Sequence, residues 1–134
     1  HHSKLARIEL PPPDLSSLLK SPNRLQKIQR SFLPIGYQIT TLDLRGFRSG
    51  SMNEALLKIE NNDLTDFTTN FTNILQSHDI TNACFEDRGE LLYLRFTRDD
   101  YSRLSNKNIR DQFVKDCESF GFRYIALDVE PLKL

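Results

Sequence analysis

The chain carries one strand pattern twice, near its middle and near its end. The first copy, TTLDL, begins at Thr40, and the second, YIALDV, occupies residues 124–129. Aligning Gly36 with Gly121 gives a spacing of 85 residues. Most residues before the first glycine then align with similar residues before the second. The pattern predicts two related units. Only the first of them continues into a polar loop, RGFRSGSMN.

Size and composition limit the number of domains and the classes of binding partner. With 134 residues, the chain is one domain or two very small ones that share a core. Its 18 Lys and Arg balance 18 Asp and Glu, which argues against a globally basic nucleic-acid binder. No apolar run approaches the roughly 18 residues that cross a bilayer, and no signal peptide opens the chain, so a cytoplasmic location is expected.

The hydrophobic spacing predicts a strand over residues 5–10 and then a helix capped by Asp14. A second helical stretch ends at Gly36, and residues 37–44 form the next strand. After the loop come a helix from about residue 63, a hairpin of strands 80–86 and 91–97, a helix capped by Asp99 or Asp100, a break at Asn106, and a final strand over 122–129.

This order predicts an α/β (α+β) fold. From residue 37 onward it is a ferredoxin-like β-α-β-β-α-β unit, preceded by a partial β-α unit. We expect an antiparallel sheet with the helices on one face. The boundaries that follow are a first unit over residues 1–57, which carries the RSGS loop, and a second, loop-less unit over residues 58–134 that shares its core. His1-His2 is either the remnant of a purification tag or native sequence of a fragment, and the unequal repeats favour a fragment.

The loop is the main candidate site. Gly46 and Gly50 allow backbone amides to turn inward, and Arg48, Ser49 and Ser51 add donors, so the loop can hold a phosphate or carboxylate. It lacks the Walker A pattern. The alternative is a glycine-permitted turn in which Arg48 pairs with a nearby acid.

Other polar residues favour structural roles. Asp43 and Asp128 occupy equivalent positions and are expected to bond neighbouring backbone. Cys84 and Cys117 are expected to be small core residues, and no metal site is indicated. No nucleophile, base and orienting acid can be assembled, so no catalytic residue is predicted. Aromatic residues of the central hairpin could expose rings to RNA, although the RNP1 motif is absent: Phe85, Tyr93 and Phe96.

A resemblance adds to this interpretation. HHSKLARIEL, followed by GYQITTLDLRGFRSGSMNEAL, is similar to the C-terminal end of PP-loop ATP pyrophosphatases of the sacrificial sulfur transferase (LarE) family. The similarity covers residues 1 to about 57, and the RSGSMN run after LDL is its most specific part. It implies that His1-His2 is native and that the chain is a fragment.

The family activates a substrate carboxylate with ATP, attaches it to an enzyme sulfur and releases a thiocarboxylate, in building a nickel-pincer cofactor. The resemblance places the pyrophosphatase loop and the sulfur-donating cysteine upstream of this chain. ATP and Mg are therefore expected in that upstream domain, and no cofactor is expected here. Cys84 and Cys117 do not match the family's cysteine.

Two hypotheses follow. In the first, the chain is a non-catalytic accessory or oligomerisation domain that contacts the upstream PP-loop domain and self-associates. Its loop then presents four residues to an anionic ligand or a neighbouring subunit: Arg48, Ser49, Ser51 and Asn53. In the second, it is a stand-alone ferredoxin-like module that binds a small ligand or RNA. No membrane partner is expected, and nucleic acid is disfavoured by the charge balance.

Overall fold

A computed structural model describes residues 4–46 and 64–133 of the chain. They contain five strands and five α-helices. In order they are β1 (Leu5–Ile8), α1 (Pro12–Leu19), α2 (Pro22–Phe32), a 3-10 turn (Leu33–Ile35), β2 (Ile39–Asp43), α3 (Leu64–Ser77), β3 (Ala83–Arg88), β4 (Leu91–Phe96), α4 (Arg98–Leu104), α5 (Lys107–Glu118) and β5 (Tyr124–Asp128).

Prolines begin the helices α1 and α2. A proline in the first helical turn loses no hydrogen bond, because its N–H would have no partner inside the helix. Helix α1 begins at Pro12, so the predicted cap at Asp14 is wrong, and Asp14 lies within the first turn. The chain leaves the second helical stretch through Gly36, whose φ of 111° favours glycine.

Polar residues hold the N-cap positions of α4 and α5. Thr97 holds the cap position of α4, two to three residues before the predicted caps Asp99 and Asp100. The Asn106 side chain accepts the N–H groups of Asn108 and Ile109 at 2.9 and 3.3 Å, so the residue predicted to break the helix also begins α5.

The five strands form one sheet in the order β1-β2-β5-β4-β3. The mixed α/β class and the predicted β-α-β-β-α-β order are confirmed. The expectation of an antiparallel sheet for the unit from residue 37 onward is wrong for one pair, because β4 and β5 are parallel. The preceding strand β1 is parallel to β2. Each parallel pair is joined by two helices, which give the chain enough length to cross back and enter the sheet in the same direction.

The sheet therefore contains two β-α-α-β units, which meet where β2 pairs antiparallel with β5. We call β1-α1-α2-β2 the N-terminal unit and β4-α4-α5-β5 the C-terminal unit. Leu42 lies directly opposite Leu127, and these two residues are separated by the same 85 positions as Gly36 and Gly121. The strand β3 lies outside β4 and closes that side of the sheet.

The core lies between the sheet and its helices. Helix α1 contacts α4, and α3 contacts α5, so the described helices form one layer, as predicted. Alternate strand residues point into this layer and the others point to the opposite face. The buried apolar strand residues of the helix-covered face are Leu42, Leu92, Leu94, Phe96, Ile125 and Leu127.

Candidate functional site

The predicted loop residues Arg48, Ser49, Ser51 and Asn53 lie outside the described residues. The nearest described region is the C-terminal end of β2, which leads into the loop. The described part of the candidate site is therefore this strand end and the side chains around it.

Asp43, at the end of β2, is buried with 3% exposure and uses both carboxylate oxygens. Oδ1 accepts the backbone N–H of Arg45 at 2.9 Å, and Oδ2 accepts Nη1 of Arg7 at 2.6 Å. The Arg7 guanidinium also lies over the Tyr124 ring, 4.0 Å from its centroid, which favours the cation. Asp43 therefore bonds neighbouring backbone, as predicted, and also joins β2 to β1.

Two residues fix the direction in which the chain leaves β2. Arg45 donates to the backbone carbonyls of Phe122 and Arg123, just before β5. Gly46 has a φ of 71°, and a Cβ there would lie 2.9 Å from the carbonyl oxygen of Leu10. Any larger residue would collide with this backbone atom, so the approach to the loop is set by rigid contacts.

A cleft of about 250 Å³ lies beside this exit, between the start of α1 and the helix α5. Four basic residues contribute to its lining: Arg45, Lys107, Arg110 and Lys115. Two carboxylates also line it, and they pair with part of this charge. Oδ2 of Asp111 accepts a hydrogen bond from Nζ of Lys107 at 2.6 Å, and Oε1 of Glu118 lies 3.3 Å from Nε of Arg45.

Arg110 is the most buried of these cations, with 1% exposure. It donates to the carbonyl oxygens of Leu104, Ser105 and Pro12 and to the Ser16 hydroxyl. Burial lowers its pKa, and the nearby Asp111 raises it in part. These neutral acceptors satisfy its hydrogen bonds without cancelling its charge, so the cleft has an excess of positive charge.

The end of β5 repeats the arrangement at Asp43 with one different partner. Oδ1 of Asp128 accepts the backbone N–H of Glu130 at 2.8 Å, and Oδ2 accepts the Tyr93 hydroxyl at 2.5 Å. Tyr93 of β4 pairs with Ala126 of β5, just as Arg7 of β1 pairs with Thr41 of β2. Equivalent carboxylates are thus bound by a cation in one unit and by a phenol in the other.

Both carboxyl groups have raised pKa values. Burial raises the pKa of Asp43, and the Arg45 N–H and Arg7 offset only part of that effect. Burial also raises the pKa of Asp128, against the hydrogen bond from Tyr93 and the N–H of Glu130. All four oxygens are occupied by protein donors, and this supports the predicted structural role.

The cysteines and His78 do not form a catalytic or metal-binding group with other described residues. Cys117 is fully buried in the core, and burial raises the pKa of its thiol. Cys84 is exposed, which corrects its assignment as a core residue, because its strand position faces away from the helices. His78 lies 2.8 Å from Asp116. Within residues 4–46 and 64–133, no group of three His, Cys, Asp or Glu residues could hold a metal ion.

The hairpin rings do not form a stacking surface for RNA. Phe96 is completely buried, and Phe85 packs against Phe67 and Phe71 of α3. Only Tyr93 belongs to the face away from the helices, and its hydroxyl bonds Asp128. This arrangement argues against the RNA-binding alternative, which required exposed rings.

Sequence reasoning missed the partners of the two carboxylates and the cation Arg110. Arg7 and Tyr93 precede the paired aspartates by nearly equal distances, 36 and 35 residues, so a comparison of the two units could have suggested them. Arg110 lies 85 positions after the buried Leu25. An arginine at a core position was a signal that its charge needed buried acceptors.

A larger cleft, of about 440 Å³, lies elsewhere, between the starts of α2 and α4 and the residues that follow β5. Its cations Arg98 and Lys133 are accompanied by the carboxylates of Asp99 and Glu130. This balance gives it no preference for ligand charge. None of the described helices is long and apolar enough to span a membrane.

Comparison with known proteins relates part of the chain to one enzyme. The chain is 41% identical over 59 residues to the pyridinium-3,5-bisthiocarboxylic acid mononucleotide synthase of Lactiplantibacillus plantarum. The match covers 44% of the chain and 20% of that synthase, so the chain spans only a small part of its relative. No family model and no solved structure matches the chain.

Proposed function

We propose that the chain is a non-catalytic accessory domain of an ATP-dependent PP-loop sulfur transferase. The observation that carries this proposal is the 41% identity with the mononucleotide synthase. In this proposal, residues 1–57 are the part shared with that family and residues 58–134 are a second, loop-less copy. ATP and Mg bind in an upstream PP-loop domain, which is the principal partner, and the chain also supports self-association.

The loop residues Arg48, Ser49, Ser51 and Asn53 bind an anionic group of the substrate or of a neighbouring subunit. Two described features support this role. Arg45 and Gly46 hold the start of the loop in place, and the adjacent cleft carries excess positive charge through Arg110 and Lys115. The compound named for the relative, a bisthiocarboxylic acid mononucleotide, is an anion, and such a surface attracts anions of this kind.

The test is Arg48→Ala in the complete parent enzyme. Loss of a charged hydrogen bond of about 1.5–3 kcal/mol predicts a fall of roughly 10- to 100-fold in the rate of thiocarboxylate formation at limiting substrate. Arg24→Ala is the matched control, because Arg24 is an exposed arginine whose side chain bonds Ser17. Sedimentation velocity measures assembly in parallel. Unchanged rate and unchanged oligomeric state for Arg48→Ala would remove the loop from the mechanism.

A further inference from the structure

The two units share their backbone hydrogen bonds as well as their order of elements. The Ile39 N–H donates to the Lys4 carbonyl, and the Tyr124 N–H donates to the Glu90 carbonyl in the matching place. At the junction, the Leu44 N–H donates to the Ile125 carbonyl, and the Val129 N–H donates to the Thr40 carbonyl. The bonds that Gly36 and Gly121 donate, to Leu33 and Glu118, match in the same way. Each strand residue of one unit therefore has a defined counterpart in the other.

The C-terminal unit is covered by two elements that lie outside this correspondence, α3 and β3. The strand β3 pairs with the outer edge of β4, with Phe85 opposite Leu94 and Glu86 opposite Tyr93. Helix α3 covers the end of α5 through its aromatic side chains. Phe67 lies 5.2 Å from Phe120, between ring centroids. The helix and the strand together close one side of this unit.

The same side of the N-terminal unit is open in the part of the chain that the structure describes. No described strand pairs with the outer edge of β1. Lys4 and every second residue after it form the backbone hydrogen bonds to β2. The N–H groups of the residues between them, Leu5 and Arg7, therefore point to the outer edge. Ile35, the counterpart of Phe120, is 68% exposed, and Leu33 is 50% exposed. An unpaired edge and an apolar patch thus occupy the place that β3 and α3 fill in the other unit.

We propose that the β1–Ile35 surface, formed by the outer edge of β1 with Leu33 and Ile35, docks a helix–strand segment of the upstream PP-loop domain. The identity of this partner rests on the function proposed above. The C-terminal unit shows the binding mode. The strand of the segment adds antiparallel to β1, and its helix places apolar side chains on Ile35.

The register of β3 on β4 defines the chemistry of the segment. The residue opposite Ile8 is apolar, as Phe85 is opposite Leu94. The residue opposite Arg7 is polar, as Glu86 is opposite Tyr93, because this face of the sheet lies away from the helices and already holds the ion pairs of Arg7. The helix that precedes this strand carries large apolar residues four positions apart, like Phe67 and Phe71 in α3.

Amide hydrogen exchange tests the proposal on the 134-residue chain and on the complete parent enzyme. We expect the Leu5 and Arg7 amides to exchange at least about tenfold more slowly in the parent, because a new strand protects them. Ile35→Asp in the parent should return both amides to the rate of the isolated chain. Ile109→Asp is the matched control, since Ile109 is also an exposed isoleucine but lies on α5.

Slow exchange of the β2 and β5 amides shows that each variant is folded. Equal rates for Leu5 and Arg7 in the isolated chain and in the parent would overturn the proposal. Protection that survives Ile35→Asp would also overturn it, because the cover would then lie elsewhere. The readout does not depend on activity, so it separates this proposal from that for the Arg48 loop.

Discussion

The two strand-end carboxylates show how one backbone design accommodates different chemistry. Asp43 and Asp128 each accept an N–H from two residues further on, but Arg7 binds the first and Tyr93 binds the second. The chain then continues through Gly46 into the loop in one unit and into Pro131 in the other. The backbone bonds maintain the shared framework, and the side chains differ where only one unit has a candidate site.

The largest change in the free energy of unfolding is expected for substitutions at the junction of the two units. Leu42→Ala and Leu127→Ala should each lower the free energy of unfolding by about 2–5 kcal/mol, because both side chains are fully buried. If the units contribute equally, the two losses will agree. The double variant should lose less than the sum, since the residues are direct neighbours. Equilibrium urea unfolding measures all three values.

Leu33→Ala provides the control for these variants. Leu33 is half exposed, so its truncation should change the free energy of unfolding by about 0.5 kcal/mol or less. A large loss at Leu42 with a small loss at Leu127 would show that the junction is not shared equally by the two units.

A smaller effect is expected from the partners of the carboxylates. Arg7→Met keeps much of the side-chain volume but leaves buried Asp43 without its cation, which should cost about 1–3 kcal/mol. Tyr93→Phe removes only the hydroxyl that binds Asp128, and should cost about 1 kcal/mol. Thermal and urea unfolding of both variants measure the difference. A greater loss for Tyr93→Phe would reverse the proposed ranking of cation over phenol.

The smallest effect concerns pH. Because the pKa of Asp128 is raised in the folded chain, its contribution to stability is complete below the ordinary value of 3.8 and is lost as pH rises through the folded value. Asp128→Asn removes this titration. As pH rises above 3.8, its free energy of unfolding should therefore fall less than that of the unsubstituted chain.

Asp43→Asn should act in the same direction, since the pKa of Asp43 is raised as well. Asp66→Asn, at an exposed position of α3, serves as the control. Urea unfolding at a series of pH values gives the comparison. A steeper fall with pH in either buried variant would show that the sign of the linkage is wrong.

Local patterns were enough to predict much of this fold. Leucines at helical spacing placed α1, and the matching LDL and LDV segments predicted that Asp43 and Asp128 would bond nearby backbone. The direction of β4 relative to β5 was wrongly predicted as antiparallel, because it depends on how two helices return the chain across the sheet. The Arg7 contact required the register of β1 on β2, which no local pattern contains.

The pairing of β2 with β5 also has a consequence for how the chain folds. Its central residues are 85 positions apart, whereas each parallel pair is closed by a crossover of about 30 residues. Loop-closure entropy favours the shorter closures, so we expect each unit to begin forming before the two meet. The late step is then the meeting of Leu42 with Leu127, which places the slowest part of folding at the centre of the sheet.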